Sequence, residues 1–158
     1  MESYKILVVY FSADLTFQLN TKEICKKGFT KLYMLRRLKN LGASTNIIHD
    51  VYLKQVRCVL EYASPVWSSM LSQRESHHIE RVQKAALSII YGPQSYKKLL
   101  EKSNLVTLSD RRCKLSERFT QKALKSDQFS SWFVPRKTNI TTRQNNMRYE
   151  VPARTNRF

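Results

Sequence analysis

Residues 72–93, SQRESHHIERVQKAALSIIYGP, carry a complete helix signal from start to stop. Ser72 and Glu75 stand at capping-box spacing, in which each side chain meets the backbone N–H of the other residue. Ile79, Val82, Ala86, Ile89 and Ile90 recur on one side of a helical period, and Gly92-Pro93 ends it. An amphipathic helix of this kind needs neighbours to cover its apolar face.

Similar patterns lie on both sides. Asn20 with Glu23 predicts a capped helix start, Gly42 a C′ stop, and Ile24, Gly28, Leu32, Leu35 and Leu38 share one side between them. A second helix is expected after Ser44, with Ile48, Val51, Tyr52, Val56, Val59, Leu60 and Ala63 inward and Asp50/Lys54 and Arg57/Glu61 pairs outside. Pro65 is expected to kink or end it. A short helix from Ser95 to about Lys102 follows. The last runs from about Leu108 to Lys125, with Leu108, Leu115, Phe119 and Ala123 inward.

Tyr4 to Phe11 is a β-rich apolar run ending at Ser12-Ala13-Asp14, which predicts a buried strand and a turn. Its partner strands are not visible downstream, which suggests a sheet lost from the N-terminal side. After Ser126 no amphipathic period survives. Trp132 and Phe133 are isolated there, and six basic residues from Arg136 to Arg157 face two acidic ones, Asp127 and Glu150. That composition predicts a basic tail, disordered alone, that folds onto a polyanion. The expected class is therefore mainly α: a bundle of about five helices with an N-terminal strand or hairpin remnant and a disordered basic C-terminal tail. The expected divisions are 1–19 for the strand and turn, 20–126 for the helical domain and 127–158 for the tail.

Composition narrows function. Lys and Arg number 28 against 12 acidic residues, a net charge of +16 and a pI near 10.0. Such a chain attracts polyanions, of which RNA, DNA and anionic membranes are the abundant candidates. Cys25, Cys58 and Cys113 lie too far apart for a metal clip or a disulfide framework. No A-x-A-like cleavage site follows the first apolar run, and no stretch approaches a membrane span. A soluble intracellular protein, cytoplasmic or nuclear and not membrane-bound, is expected.

The charge is ordered. Arg111, Lys114, Arg118, Lys122 and Lys125 fall in one stripe on the last helix, opposite Leu115 and Phe119, where successive cations can track phosphates. A plain solvated face is the alternative, but five cations in line without interleaved acids favour nucleic-acid contact. On the first helix Lys22, Lys26, Arg36 and Arg37 surround Phe29 and Tyr33, a pattern suited to a sugar-phosphate backbone with bases stacked nearby. Packing of both rings on a neighbour, with the lysines lying over them, explains the pattern equally well.

Chemistry is poorly represented. His77-His78 point in different directions with no Cys or carboxylate at ligand spacing, and His49 reads as a packed residue. No Ser-His-Asp, H-x-D, P-loop or G-x-G-x-x-G arrangement occurs, nor do paired acids for two-metal phosphoryl transfer. No catalytic residue, metal or cofactor is expected.

The wording of two blocks adds a resemblance. VLEYASPVW at 59–67, then IERVQK at 79–84 running to Ile90-Tyr91-Gly92, resembles the reverse transcriptases of jockey-type non-LTR retrotransposons (LINE elements). Leu35-Arg36-Arg37-Leu38 before them and Leu105, Leu108, Arg111-Arg112 and Leu115 after them extend it over most of residues 4–125. The resemblance implies the end of a palm followed by a thumb, the part that grips a template-primer duplex. It implies that Arg36, Arg37, Arg57, Lys84, Arg111 and Arg112 contact or flank nucleic acid.

Val8 stands where that strand block usually has glycine, Cys58 where proline is usual, and Ala85 and Ser88 where basic residues are frequent. The metal-binding aspartate pair and an endonuclease module have no counterpart. A catalytically incomplete RNA-directed DNA polymerase fragment is thus implied, not an enzyme, that binds RNA or RNA-DNA duplex. The competing class is a structural or interaction module without a ligand, self-associating through a surface left by the missing palm. Leu15 to Gly42 is also similar to a short segment at the N-terminus of AlkB-type tRNA-modifying proteins, without their iron-binding H-x-D or a methyltransferase fold.

Overall fold

The computed structural model describes residues 3–14 and 16–130. The expectation of a disordered tail falls almost wholly outside them. The chain divides into two compact units, Met1–Ser116 and Glu117–Phe158.

The N-terminal apolar run folds back on itself. β1 (Ser3–Ile6) pairs antiparallel with β2 (Val9–Ser12) in the register Ser3↔Ser12, Tyr4↔Phe11, Lys5↔Tyr10 and Ile6↔Val9. Leu7 and Val8 form the two-residue loop with φ of 45° and 72°. Positive φ at both positions marks the turn whose twist suits a tight hairpin. Of the expected strand or hairpin remnant, the hairpin forms and supplies its own partner, and the continuous buried strand over Tyr4 to Phe11 does not. All of β1 is exposed, whereas Val9 enters the helical core. The Phe11 ring meets Phe17 edge-on at 5.5 Å, and the Tyr10 N–H donates to Asn20 Oδ1 at 3.3 Å. The hairpin thus shares the core of the helices instead of forming a separate 1–19 unit.

Helix α1 (Gln18–Asn40) begins two residues before the expected cap. Asn20 lies inside it, its amide oxygen taken by Tyr10, so the Asn20/Glu23 capping box does not form. The C-terminal stop stands as expected. Gly42 at φ 76° lets its own N–H reach the Lys39 carbonyl at 3.0 Å and the Ala43 N–H reach that of Leu38 at 3.1 Å. These two bonds define a Schellman motif.

Residues 45–61 form one rod built of α2 (Thr45–Val51), a π-helical segment Tyr52–Arg57 and α3 (Cys58–Glu61). Ile48, Tyr52, Val56 and Leu60 recur every fourth residue and are all buried. An ideal α-helix would turn these four about 120° out of line. The widened turns keep them on one side. The rod ends before Pro65: Ala63 takes the left-handed conformation and Pro65 lies in the first turn of α4 (Ser64–Trp67). Proline starts a helix here because its missing N–H is not needed in a first turn. Trp67 is fully buried and donates Nε1–H to the Tyr62 carbonyl at 3.0 Å.

Helix α5 (Gln73–Tyr91) has the expected Ser72/Glu75 capping box and ends at Gly92. It packs on α1 where Gly28 faces Val82. α6 (Tyr96–Ser103) and α7 (Leu108–Leu124) follow. One contiguous core runs from Val9 through Leu32, Leu35, Tyr52, Val82 and Leu99 to Leu108. Expected inward residues on α7 divide: Leu108 and Ala123 are buried, Leu115 is half-buried, and Phe119 is 60% exposed. Phe119 lies beyond Ser116, past the end of the first unit. α8 (Asp127–Ser130) is the last described element.

Candidate nucleic-acid interface

Since α1 turns Cys25, Gly28, Leu32 and Leu35 inward, helical geometry fixes what it turns outward. Lys22, Lys26, Phe29, Tyr33, Arg36 and Arg37 lie along the opposite side and all are exposed. From Lys22 to Arg37 this face extends about 22 Å at 1.5 Å per residue. No acidic residue lies on it; Glu23 is half-buried to one side. Phe29 is 40% and Tyr33 61% exposed, so Tyr33 is the more open of the two rings. Arg37 lies over the Tyr33 ring, its guanidinium carbon 5.9 Å from the centroid, and Nη1 donates to the Tyr33 hydroxyl at 3.2 Å. An arginine tethered to a tyrosine in this way presents charge beside an exposed ring, a pairing that suits a base or a phosphate.

Other expected contact residues are committed inside the protein. Arg57 and Arg111 converge on one carboxylate: their Nε atoms lie 3.1 Å and 3.0 Å from Glu61 Oε1. This bridge ties α3 to the start of α7 and consumes the first cation of the α7 stripe. Arg112 is 3% exposed and donates from Nη2 to Ser76 Oγ at 2.8 Å. Its guanidinium lies 6.0 Å from the Trp67 ring centre. Both residues depart from the expected outward position because the inward side of α7 docks on α3 and α4, where long aliphatic stems substitute for apolar side chains.

Lys84 on α5 is exposed, as are Lys114, Arg118, Lys122 and Lys125 along and just beyond α7. The structure adds two cations to Lys84: Arg74 and Arg81 share the exposed side of α5 with His77 and His78. Their spacing of seven, with Lys84 three further on, was available in the sequence, but the apolar face of the same helix is the stronger signal. Lys39 is withdrawn, its ammonium donating to the Ile89 carbonyl near the end of α5.

Titratable groups inside the fold serve packing. His49 is half-buried with Nδ1 2.7 Å from the Tyr91 hydroxyl, and burial lowers its pKa. Burial pushes the Cys25 thiol up to about 11, which keeps it protonated. Among the described residues no three His, Cys, Asp or Glu side chains group as metal ligands, and no helix is long and apolar enough to cross a membrane. No family model, curated protein or solved structure matches the chain.

Proposed function

We propose that this protein binds RNA or an RNA-DNA duplex through the outer face of α1, as a catalytically incomplete, thumb-like fragment of a non-LTR retrotransposon reverse transcriptase. The supporting observation is the acid-free row of Lys22, Lys26, Arg36 and Arg37 around two exposed aromatic rings. Lys84 on α5 and the exposed cations of α7 add attraction without sequence preference. Binding by this chemistry is salt-sensitive and sequence-tolerant.

The test is binding of a short RNA-DNA hybrid across a salt series, beside a variant with Lys22, Lys26, Arg36 and Arg37 changed to Gln. Each lost phosphate contact lowers the slope of log affinity against log salt by roughly 0.7–0.9. A shallower slope and an affinity drop of at least tenfold are expected. Absence of binding at low salt, or a variant identical to the parent, would refute the proposal. One observation favours the competing reading of a self-associating module: Tyr4, Ile6, Leu7 and Val8 form an exposed apolar edge on the hairpin. Sedimentation showing a dimer that charged substitutions at Ile6 and Leu7 dissolve would favour it.

A further inference from the structure

The structure contains a second polar feature, independent of the α1 face. A cleft of about 410 Å³ opens between the segment 68–76 and the first turns of α7. Ser68, Ser69, Ser72, Ser76 and Ser109 line it, and Arg112 lies among them. Hydroxyls thus come from three places in the chain: the short turn Ser68–Met70, the start of α5 and the start of α7.

Arg112 is the unusual member. It is almost wholly buried, and Nη1 has no hydrogen-bond partner. Among the described residues no carboxylate lies within ion-pair distance of it. Glu80 and Glu61 act on it from further away, but each is committed elsewhere. Glu80 accepts from the Ser109 N–H at 2.7 Å and from the Tyr96 hydroxyl, and Glu61 holds Arg57 and Arg111. Glu75, the one acid in the first turn of α5, is bound through Oε2 to the Ser72 amide at 2.9 Å and hydroxyl at 2.6 Å, while its Oε1 is buried without a partner. A buried cation without a counter-charge is unfavourable, and a chain that keeps one gains by admitting an anion. Burial accordingly lowers the pKa of Arg112, although guanidinium stays charged in proteins.

We infer that this cleft is a phosphate-binding site, with Arg112 as its charge and the hydroxyls of Ser69, Ser76 and Ser109 as its donors, and that it takes a phosphomonoester group; the Ser72 hydroxyl is already spent on Glu75. A guanidinium offers a planar fork of N–H donors that matches two phosphate oxygens. Ser76 Oγ already accepts from Arg112, so its own proton is left to donate to a third oxygen. A tetrahedral, multiply charged anion has more acceptor oxygens and more charge than a planar carboxylate, and so uses more of these donors at once. Arg112 lines the cleft together with Ser69 and Ser76, and Ser69 is exposed. The depth of Arg112 suits a terminal phosphate and excludes the flank of a duplex.

The probe is inorganic phosphate, titrated against the protein and followed by melting temperature and by the arginine side-chain N–H resonances, with chloride at matched ionic strength as the control. A saturable rise in melting temperature and a shift of one arginine resonance are expected with phosphate alone. Arg112→Lys should weaken the response at least tenfold. Ser69→Asp, which places a counter-ion at the mouth, should stay folded, melt no lower than the parent in phosphate-free buffer and lose the response. The variant lacking the four α1 cations should keep it. Tighter binding of a 5′-phosphorylated oligonucleotide than of its 5′-hydroxyl twin identifies nucleic-acid ends as the source. Equal binding of the two, beside saturation by inorganic phosphate, identifies small phosphorylated compounds. No saturable response, or one retained in Ser69→Asp, overturns the site.

Discussion

Val8 holds a φ of 72° with a β-branched side chain, next to Leu7 at 45°. Such conformations cost of order 1–3 kcal/mol in a non-glycine residue, and glycine removes the clash at Cβ. Replacing Leu7-Val8 with Asn-Gly should stabilise the protein by about 1 kcal/mol, read from the urea midpoint; an unchanged midpoint would mean the loop is not strained. Gly28 poses the opposite case. A Cβ there would lie 2.9 Å from Val82 Cγ1 and 3.0 Å from Leu60 Cδ2. Alanine improves helix propensity by about 1 kcal/mol but overpacks a stiff contact by about 1–3. Gly28→Ala should therefore lose about 1 kcal/mol net, and Val82→Ala in the same chain should offset part of its own cost. Strictly additive losses would show that the α1–α5 approach is looser than these distances state.

Between elements, the binding force that sequence periodicity hides is a polar chain through the core. The Tyr52 hydroxyl donates to Gln83 Oε1 at 2.6 Å, and Gln83 Nε2 donates to the Tyr96 hydroxyl at 2.8 Å and the Val106 carbonyl at 3.0 Å. Tyr96 donates on to Glu80, whose other oxygen takes the Ser109 N–H. Burial raises the pKa of both phenols, which keeps them as donors. Gln83 thus joins the π-helical segment, α5, α6 and the approach to α7. Gln83→Leu keeps the volume but strands the Tyr52 hydroxyl and the Val106 carbonyl, each costing about 1–3 kcal/mol, while the Tyr96 hydroxyl keeps its bond to Glu80. A loss of about 3 kcal/mol is expected, partly recovered when Tyr52→Phe removes one orphan; a loss below 1 would show that water replaces the glutamine. Local chemistry made the ends of α5 and the C-terminal end of α1 readable, through Ser72, Glu75 and Gly42. The hydrogen bonds of Gln83 and the Glu61–Arg111 bridge join residues far apart in sequence, so no local pattern announces them. The four-residue spacing of Ile48, Tyr52, Val56 and Leu60 reads as ordinary amphipathicity when a 3.6 period is assumed, so the widened helix was not legible from it.

At the scale of the whole molecule, charge was legible as quantity and order but not as availability. The sequence placed Lys22, Lys26, Arg36 and Arg37 around two rings, and the structure leaves that face exposed. It equally nominated Arg57 and Arg111, which an interior carboxylate occupies, and Arg112, which lies buried beside Trp67. An arginine at an inward register position looks the same in sequence as one on the surface, because its aliphatic stem obeys either environment. What remains outside is still strongly cationic, and a net charge of +16 on 158 residues makes the compact state repel itself. Salt screens that repulsion within a Debye length of about 10 Å at 0.1 M. The melting temperature of the protein alone should therefore rise between 20 and 500 mM potassium chloride, a range set around that screening length. With an RNA-DNA hybrid present the dependence should reverse at the low end, because bound polyanion stabilises the fold most where counterion release is most favourable. Opposite salt slopes in the two melting series are the expected result. Parallel slopes would show that the hybrid adds nothing to the folded state, and the exposed cations would then act only to keep copies of the chain apart.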